Sequence, residues 1–334
     1  MKFDAVLPPM PLREVPALVH AVDRIGFDSL WTTETQHSPF LPLALIAEHS
    51  QRLHFGTAVA IGFARSPTTL AHTAWDLAQA SSGRFILGLG TQVRAHVERR
   101  FGMPWPDSPV GKLREMIHAM RSIWKAWQDR ERLDVHGEYF NLTLMPPFFS
   151  PGVIDHPHIP IFLAGVNAGM ARLAGEVAQG FHVHPYHSPR YLREVLLPAL
   201  AEGAARAGRG PHDTKLSITA LVACDEQEQF FIRSQIAFYA STPSYRPVMD
   251  LHGWGEVADR LRTLSRQGEW TEMTALIGDD MLRTFAVVAP AEEIGQALQA
   301  RYGGLADHLA LYTPFVPGQR DDFWRAIVKQ LKED

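Results

Sequence analysis

Cysteine is nearly absent from this chain. Cys224 is the single one in 334 residues, which excludes an intramolecular disulfide and a zinc site built from several thiolates. It lies in an apolar run, so a small buried core residue is expected there rather than a nucleophile. No Lys/Arg run forms a basic stripe, and a formal net charge of −4 gives no reason to expect a nucleic-acid partner. No apolar run approaches the roughly 20 residues of a membrane span. No basic segment followed by a long apolar stretch marks a secretory leader. A glycine-rich turn after the first strand, the mark of a dinucleotide-binding sheet, is missing too; Pro8, Pro9, Met10 and Pro11 stand there. These absences point to a cytoplasmic protein acting on a small molecule.

What is present is a balanced α/β chain, 46% hydrophobic and 20% charged. Strand patterns at 3–7, 28–33, 53–61, 85–89, 161–163, 181–183, 216–224 and 308–311 alternate with helical patterns at 12–25, 42–50, 67–80, 110–129, 167–178, 189–207, 291–300 and 321–332. Ser66 reads as an N-cap, with Pro67 at the first helical position. Alternation of this kind predicts a parallel sheet, and the length favours closure into a (β/α)8 TIM barrel, one domain over 1–334. Two insertions interrupt it. Residues 131–158, rich in proline and aromatics, follow strand four; a helical excursion over about 226–280 follows strand seven.

In a barrel the loops after the strands carry function. Strand two leads to Glu34 and His37, strand three to Arg65, strand four to Thr91, Gln92 and His96, strand five to Gly165, Val166, Asn167 and Ala168, and strand six to His184. A small-residue loop opening a helix at Asn167 offers unpaired amides and a positive dipole end, which suit a phosphate; an ordinary βα turn with Asn167 as N-cap is the alternative. Gly88 and Gly90 point to one side of their strand, and if that side is the lumen they leave room for a flat ring. His37 beside Glu34 suits proton transfer, with the carboxylate orienting the imidazole. Arg65 either meets a phosphate or caps strand carbonyls. The spacing of His182, His184 and His187 could bind a metal, but the strand ends lack supporting carboxylates, so no metal is expected and His184 reads as a hydrogen-bonding residue at the barrel mouth.

Three motifs carry a resemblance. Gly56-Thr57-Ala58-Val59 leads to Arg65-Ser66-Pro67; Ser82-Gly83-Arg84-Phe85 leads to Gly88-Leu89-Gly90-Thr91; Ala171-Arg172-Leu173-Ala174-Gly175 leads to Gly180-Phe181. In order and spacing the chain resembles the bacterial luciferase-like oxidoreductases, which use flavin mononucleotide (FMN) or the deazaflavin coenzyme F-420. The segment from Leu87 to His96 looks like the deazaflavin-dependent branch. The resemblance implies a non-proline cis bond at Ala58–Val59 behind the cofactor ring and a phosphate loop on Gly165, Val166, Asn167 and Ala168. It also implies ring contacts from Thr91, Gln92 and His96, and a homodimer; Arg65 and His184 join the expected cofactor-binding residues by their places at the strand ends. Two departures stand out: Thr35 follows the strand-two acid where many relatives have histidine, and Val93 stands where some have glutamate.

The expected activity is hydride transfer between reduced F-420 and a small organic substrate, with His37, Glu34 or His96 handling the proton. An FMN-dependent monooxygenase, a non-catalytic flavin-binding protein and a metal-dependent hydrolase are the alternatives. Phe148 and Phe149, together with the 226–277 excursion, are expected to wall an apolar pocket or merely to cover the rim.

Overall fold

The computed structural model describes residues 1–332. Eight strands close into a parallel barrel: β1 (Lys2–Val6), β2 (Ser29–Thr32), β3 (His54–Thr57), β4 (Phe85–Gly90), β5 (Ile161–Gly165), β6 (Gly180–Val183), β7 (Lys215–Ala223) and β8 (His308–Leu311). Each pairs with the next, and β8 returns to β1 with Lys2 opposite His308. Helices cover the outside, so both faces of the strands are buried; β2 and β4 show no exposed position.

Local signals set the helix ends. Ser66 Oγ accepts the Thr69 amide at 3.1 Å and Pro67 opens the helix Pro67–Ala80. Gly26, at φ +97°, closes Val15–Ile25 in a conformation that side chains disfavour. One expected strand is broken. The run 53–61 divides into β3 and a two-residue strand, Ala60–Ile61, with Ala58 and Val59 between them joined by the cis bond that the resemblance implies.

Strand register decides what enters the lumen. Asp4 lies opposite Ser29, Trp31 opposite Gly56, Gly56 opposite Ile86, Gly88 opposite Phe162, Ala164 opposite His182 and Ser217 opposite His308. These residues share one phase of the pleat. Trp31, Ile86 and Phe162 form a small apolar cluster there, separate from the main core between strands and helices.

The insertions take different places. Residues 131–158 carry a short antiparallel hairpin, Val135–His136 with Asn141–Leu142. This segment packs along the outer flank of the helix Pro109–Asp129: Glu115 accepts the Tyr139 amide, Trp127 Nε1 donates to Met145 Sδ, and the Gln128 side chain bonds both the amide and the carbonyl of Ile154. Phe148 is 90% and Phe149 61% exposed. They therefore do not wall the barrel mouth, because their loop is tied to the far end of that helix. The second insertion begins with the helix Glu226–Ala240 and ends with the strand Ala286–Val288, which pairs with the last three residues of β7. It does cover the C-terminal mouth.

Candidate active site

At the C-terminal end of β3 the chain turns back on β4. Thr57 Oγ1 donates to the Gly88 carbonyl at 2.6 Å and accepts the Gly88 amide at 3.0 Å. A Cβ on Gly88 would stand 1.7 Å from the Thr57 carbonyl oxygen, and one on Gly90 would stand 2.8 Å from Val59 Cγ2. The alternating glycines thus admit the bulge itself rather than leaving open room for a ring. Ala58 and Val59 remain partly exposed beside Thr91 and Gln92. Gln92 takes a left-handed φ of +61°, its Oε1 accepts the Val93 amide, and its carbonyl accepts the Thr91 hydroxyl at 3.0 Å. His96 lies exposed on the short helix Arg94–Arg99.

Glu34 does not orient His37. Its carboxylate accepts both terminal nitrogens of Arg65, at 2.8 and 2.7 Å, and the Ile61 amide at 2.7 Å. Arg65 also donates to the Ile61 carbonyl and lies over the Phe40 ring. The pair clamps the loop after β3 to the loop after β2, a fork-to-fork contact that fixes both. This geometry removes Arg65 from phosphate duty and leaves His37 exposed, on a rim cavity of about 180 Å³ shared with Pro8, Met10, Thr33 and Ser38. Removing one partner leaves the other charge unpaired near the interior. Glu34→Ala is expected to cost about 3 kcal/mol in urea denaturation; a change under about 0.5 kcal/mol contradicts the clamp.

The loop after β5 opens the helix Ala168–Val177. Asn167 occupies the N-cap position, yet its side chain bonds none of the helix amides; Nδ2 donates to the Ser244 carbonyl at 2.8 Å, and Oδ1 is buried without a partner. The Met170 amide reaches the Asn167 carbonyl at 3.1 Å, so the amides without a side-chain cap are those of Ala168 and Gly169. Gly165 is dictated by packing, since a Cβ there would lie 2.5 Å from Met170 Cβ.

His184 continues the lumen phase of His182. Its Nδ1 accepts the Tyr186 amide at 3.1 Å, so the proton sits on Nε2. Burial, aided by nearby His187, pushes its pKa down to about 3, and the ring stays neutral near pH 7. Tyr239 meets it edge-on at 4.7 Å, and Tyr245 lies at 4.9 Å. Tyr312 donates to Gln235 Oε1 at 2.9 Å, so Tyr239 must donate to Tyr312 across their 2.9 Å contact. The sequence points to the 226–277 excursion as a wall but singles out neither Tyr239 nor Tyr245 within it. A signal existed for Tyr312, two and four positions beyond Ala310 and His308, but nothing local marks Tyr239 or Tyr245.

Below the mouth lies a polar cluster that was also missed. Asp4 Oδ2 accepts Trp31 Nε1 and His308 Nδ1, both at 2.8 Å. Burial works to raise the Asp4 pKa, but attraction to His308 and the bonds from His308 and Trp31 outweigh it, and the carboxyl is held below its usual range. His182 Nδ1 bonds Ser217 Oγ at 2.9 Å, and burial pushes its pKa to about 3.

The three histidines do not converge. His187 spends both nitrogens, on the His184 carbonyl and the Tyr302 hydroxyl. Among the described residues no group of three His, Cys, Asp or Glu side chains is placed to hold a metal ion. Cys224 is half-buried rather than a core residue, because it stands just past the end of β7; burial pushes its thiol up to about 11. A cavity of about 730 Å³ opens at the opposite, N-terminal end of the barrel. Arg121 and Arg209 there donate to the carbonyls of Val177 and Gly175, capping the last turn of the helix that starts at Ala168.

Comparison with known proteins agrees with the barrel fold. The chain is 45% identical over 315 residues to an uncharacterized protein of Mycobacterium tuberculosis, covering 92% of each. It is 30% identical over 228 residues to an F-420-dependent glucose-6-phosphate dehydrogenase of Beutenbergia cavernae, covering 64% of this chain and 65% of that one. The solved structure of the coenzyme F-420-dependent tetrahydromethanopterin reductase from Methanopyrus kandleri superposes with a TM-score of 0.78 at 18% identity, over 99% and 98% of the two chains. The family model for luciferase-like monooxygenases matches residues 3–308. With that match over nearly the whole closed barrel, the chain belongs to the luciferase-like monooxygenase family.

Proposed function

We propose that this protein is an oxidoreductase that binds coenzyme F-420 and exchanges a hydride with a small organic substrate, the reduced coenzyme giving it to the substrate or the oxidised coenzyme taking it. The observation that carries the reading is the loop after β5, where Asn167 leaves the helix amides uncapped and its own Oδ1 buried without a partner. Both features suit a group with an anionic tail and neighbouring hydroxyls. Gly165, Val166, Asn167 and Ala168 would hold the tail, and Ala58, Val59, Thr91 and Gln92 would border the ring. Such a coenzyme supplies hydride chemistry at its ring carbon C5. The protein's part is to bind, orient and exclude water. The Gln92 side chain is held by the Val93 amide. His184, neutral and fixed as the Nε2–H tautomer, keeps that donor for a ligand and takes no proton in the working range.

His37 is the proposed proton donor, exposed on the rim and independent of Glu34. His37→Ala is expected to lower turnover about 100-fold while leaving coenzyme affinity within twofold. Full turnover in that variant removes His37 from the role and leaves exposed His96 as the next candidate.

Separate fluorescence titrations with F-420 and FMN test the coenzyme. Binding of F-420 at least about tenfold tighter is expected. Tight binding of FMN alone overturns the reading and makes the protein an FMN-dependent monooxygenase.

A further inference from the structure

We infer that the tyrosine wall over the barrel mouth is the substrate subsite, and that it takes a neutral, ring-bearing compound with a carbonyl or hydroxyl oxygen. The inference deepens the coenzyme reading and rests on it, because the substrate must lie against the coenzyme ring.

Four partly exposed rings make the wall. His184 lies between Tyr239 and Tyr245, and Tyr312 stands at 87° to Tyr239 with centroids 6.3 Å apart. Phe231 extends it beside Tyr312 at 6.5 Å. Edge-to-face rings at these spacings present flat apolar faces and suit another ring.

Charge disfavours a phosphorylated or carboxylated substrate. The arginines bordering the wall are already committed: Arg233 pairs with Asp279, Arg246 with Asp250 and Asp259, and Arg320 with Glu228. An anion placed here would have to break one of these pairs or remain unpaired in a half-buried site, which costs affinity.

Hydrogen bonding selects the oxygen. The protons of Tyr312 and Tyr239 are consumed inside the protein, on Gln235 and Tyr312. Three donors there have no bond within the protein: the Nε2–H of His184, whose other nitrogen is engaged, the Tyr245 hydroxyl, and the buried hydroxyl of Tyr186, whose ring stacks on Tyr245. Donors without a facing carboxylate call for a neutral acceptor such as a carbonyl or hydroxyl oxygen.

The test uses the full chain loaded with F-420 and measures binding of two probes, acetophenone and glucose 6-phosphate, by saturation-transfer NMR and calorimetry. Acetophenone is expected to bind and glucose 6-phosphate to bind at least about tenfold more weakly. Tyr239→Ala, with Tyr245→Ala as a second variant in case the first misfolds, is expected to weaken acetophenone about tenfold. His184→Phe, which keeps the ring and loses the donor, is expected to weaken it about three- to tenfold. Coenzyme affinity should stay within twofold in the two tyrosine variants. Tighter binding of glucose 6-phosphate, no acetophenone binding to the loaded protein, or acetophenone affinity untouched by both tyrosine changes overturns the proposal. Failure of F-420 itself to bind, with acetophenone still bound, instead overturns the coenzyme reading and leaves the subsite standing.

Discussion

Gly88→Ala is expected to destabilise the protein by about 3 kcal/mol and to abolish coenzyme binding. The reason is a backbone contact. The added methyl would stand 1.7 Å from the Thr57 carbonyl oxygen and 2.8 Å from its carbon. A flexible side chain could swing away from such a clash, but a carbonyl in the ladder cannot. β3 and β4 must part by more than an ångström, which breaks both bonds between Thr57 Oγ1 and Gly88. The Ala58–Val59 bulge moves with them. Urea denaturation reads the stability and a fluorescence titration reads the coenzyme. A Gly88→Ala protein of ordinary stability that still binds F-420 shows that the close approach is not required. Gly102→Ala serves as the control for adding a methyl, since a Cβ there meets nothing within 4 Å although its φ of +65° disfavours any side chain; its cost should stay near 1 kcal/mol.

Asp4→Ala carries the second large effect, an expected loss of about 3–5 kcal/mol. Asp4 is buried, and its removal leaves Trp31 Nε1 and His308 Nδ1 facing each other in the lumen without an acceptor. The pH dependence follows from linkage. A carboxyl whose folded pKa lies below its unfolded value of 3.8 binds its proton less readily when folded. Its stabilisation is complete above about pH 4 and is lost as pH falls through the lower folded value. Wild-type stability should therefore drop on acidification below about pH 4, and Asp4→Asn should show a shallower drop over that window. Equal slopes for the two proteins place the acid sensitivity elsewhere. His182 and His184 act at the same acid end with opposite chemistry: both are held neutral to about pH 3 when folded. Each would gain its proton in the unfolded chain below about pH 6.5, so they destabilise the native state progressively as pH falls below that point.

Much of the barrel was legible because a strand buried on both faces and a helix buried on one leave distinct periods in the sequence. The helices Pro67–Ala80 and Asp321–Lys332 were placed to the residue, since Ser66 with Pro67, and the acidic pair at 321 and 322, are local signals. The pattern at 53–61 reads as one strand because the bulge arises from how β3 meets β4, not from any propensity in the run; the resemblance alone implied the cis bond at Ala58–Val59 that stands there. Glu34 was assigned to His37 on adjacency of three positions, whereas its partner Arg65 lies 31 positions away and meets it only when the loops after β2 and β3 come together on the rim.

The sequence by itself determined the alternating α/β architecture, the family, and the loop at Gly165, Val166, Asn167 and Ala168, because each is written in contiguous residues through period, motif or cap. Only the tertiary structure decided which ionisable groups are spent on one another. Asp4 and His308 stand 304 positions apart, and Tyr239 and Tyr312 stand 73 apart. Closure of a barrel brings its first and last strands together, and an insertion folds over the mouth, so partnerships of this kind have no local trace. They settle which side chains remain free to meet a ligand.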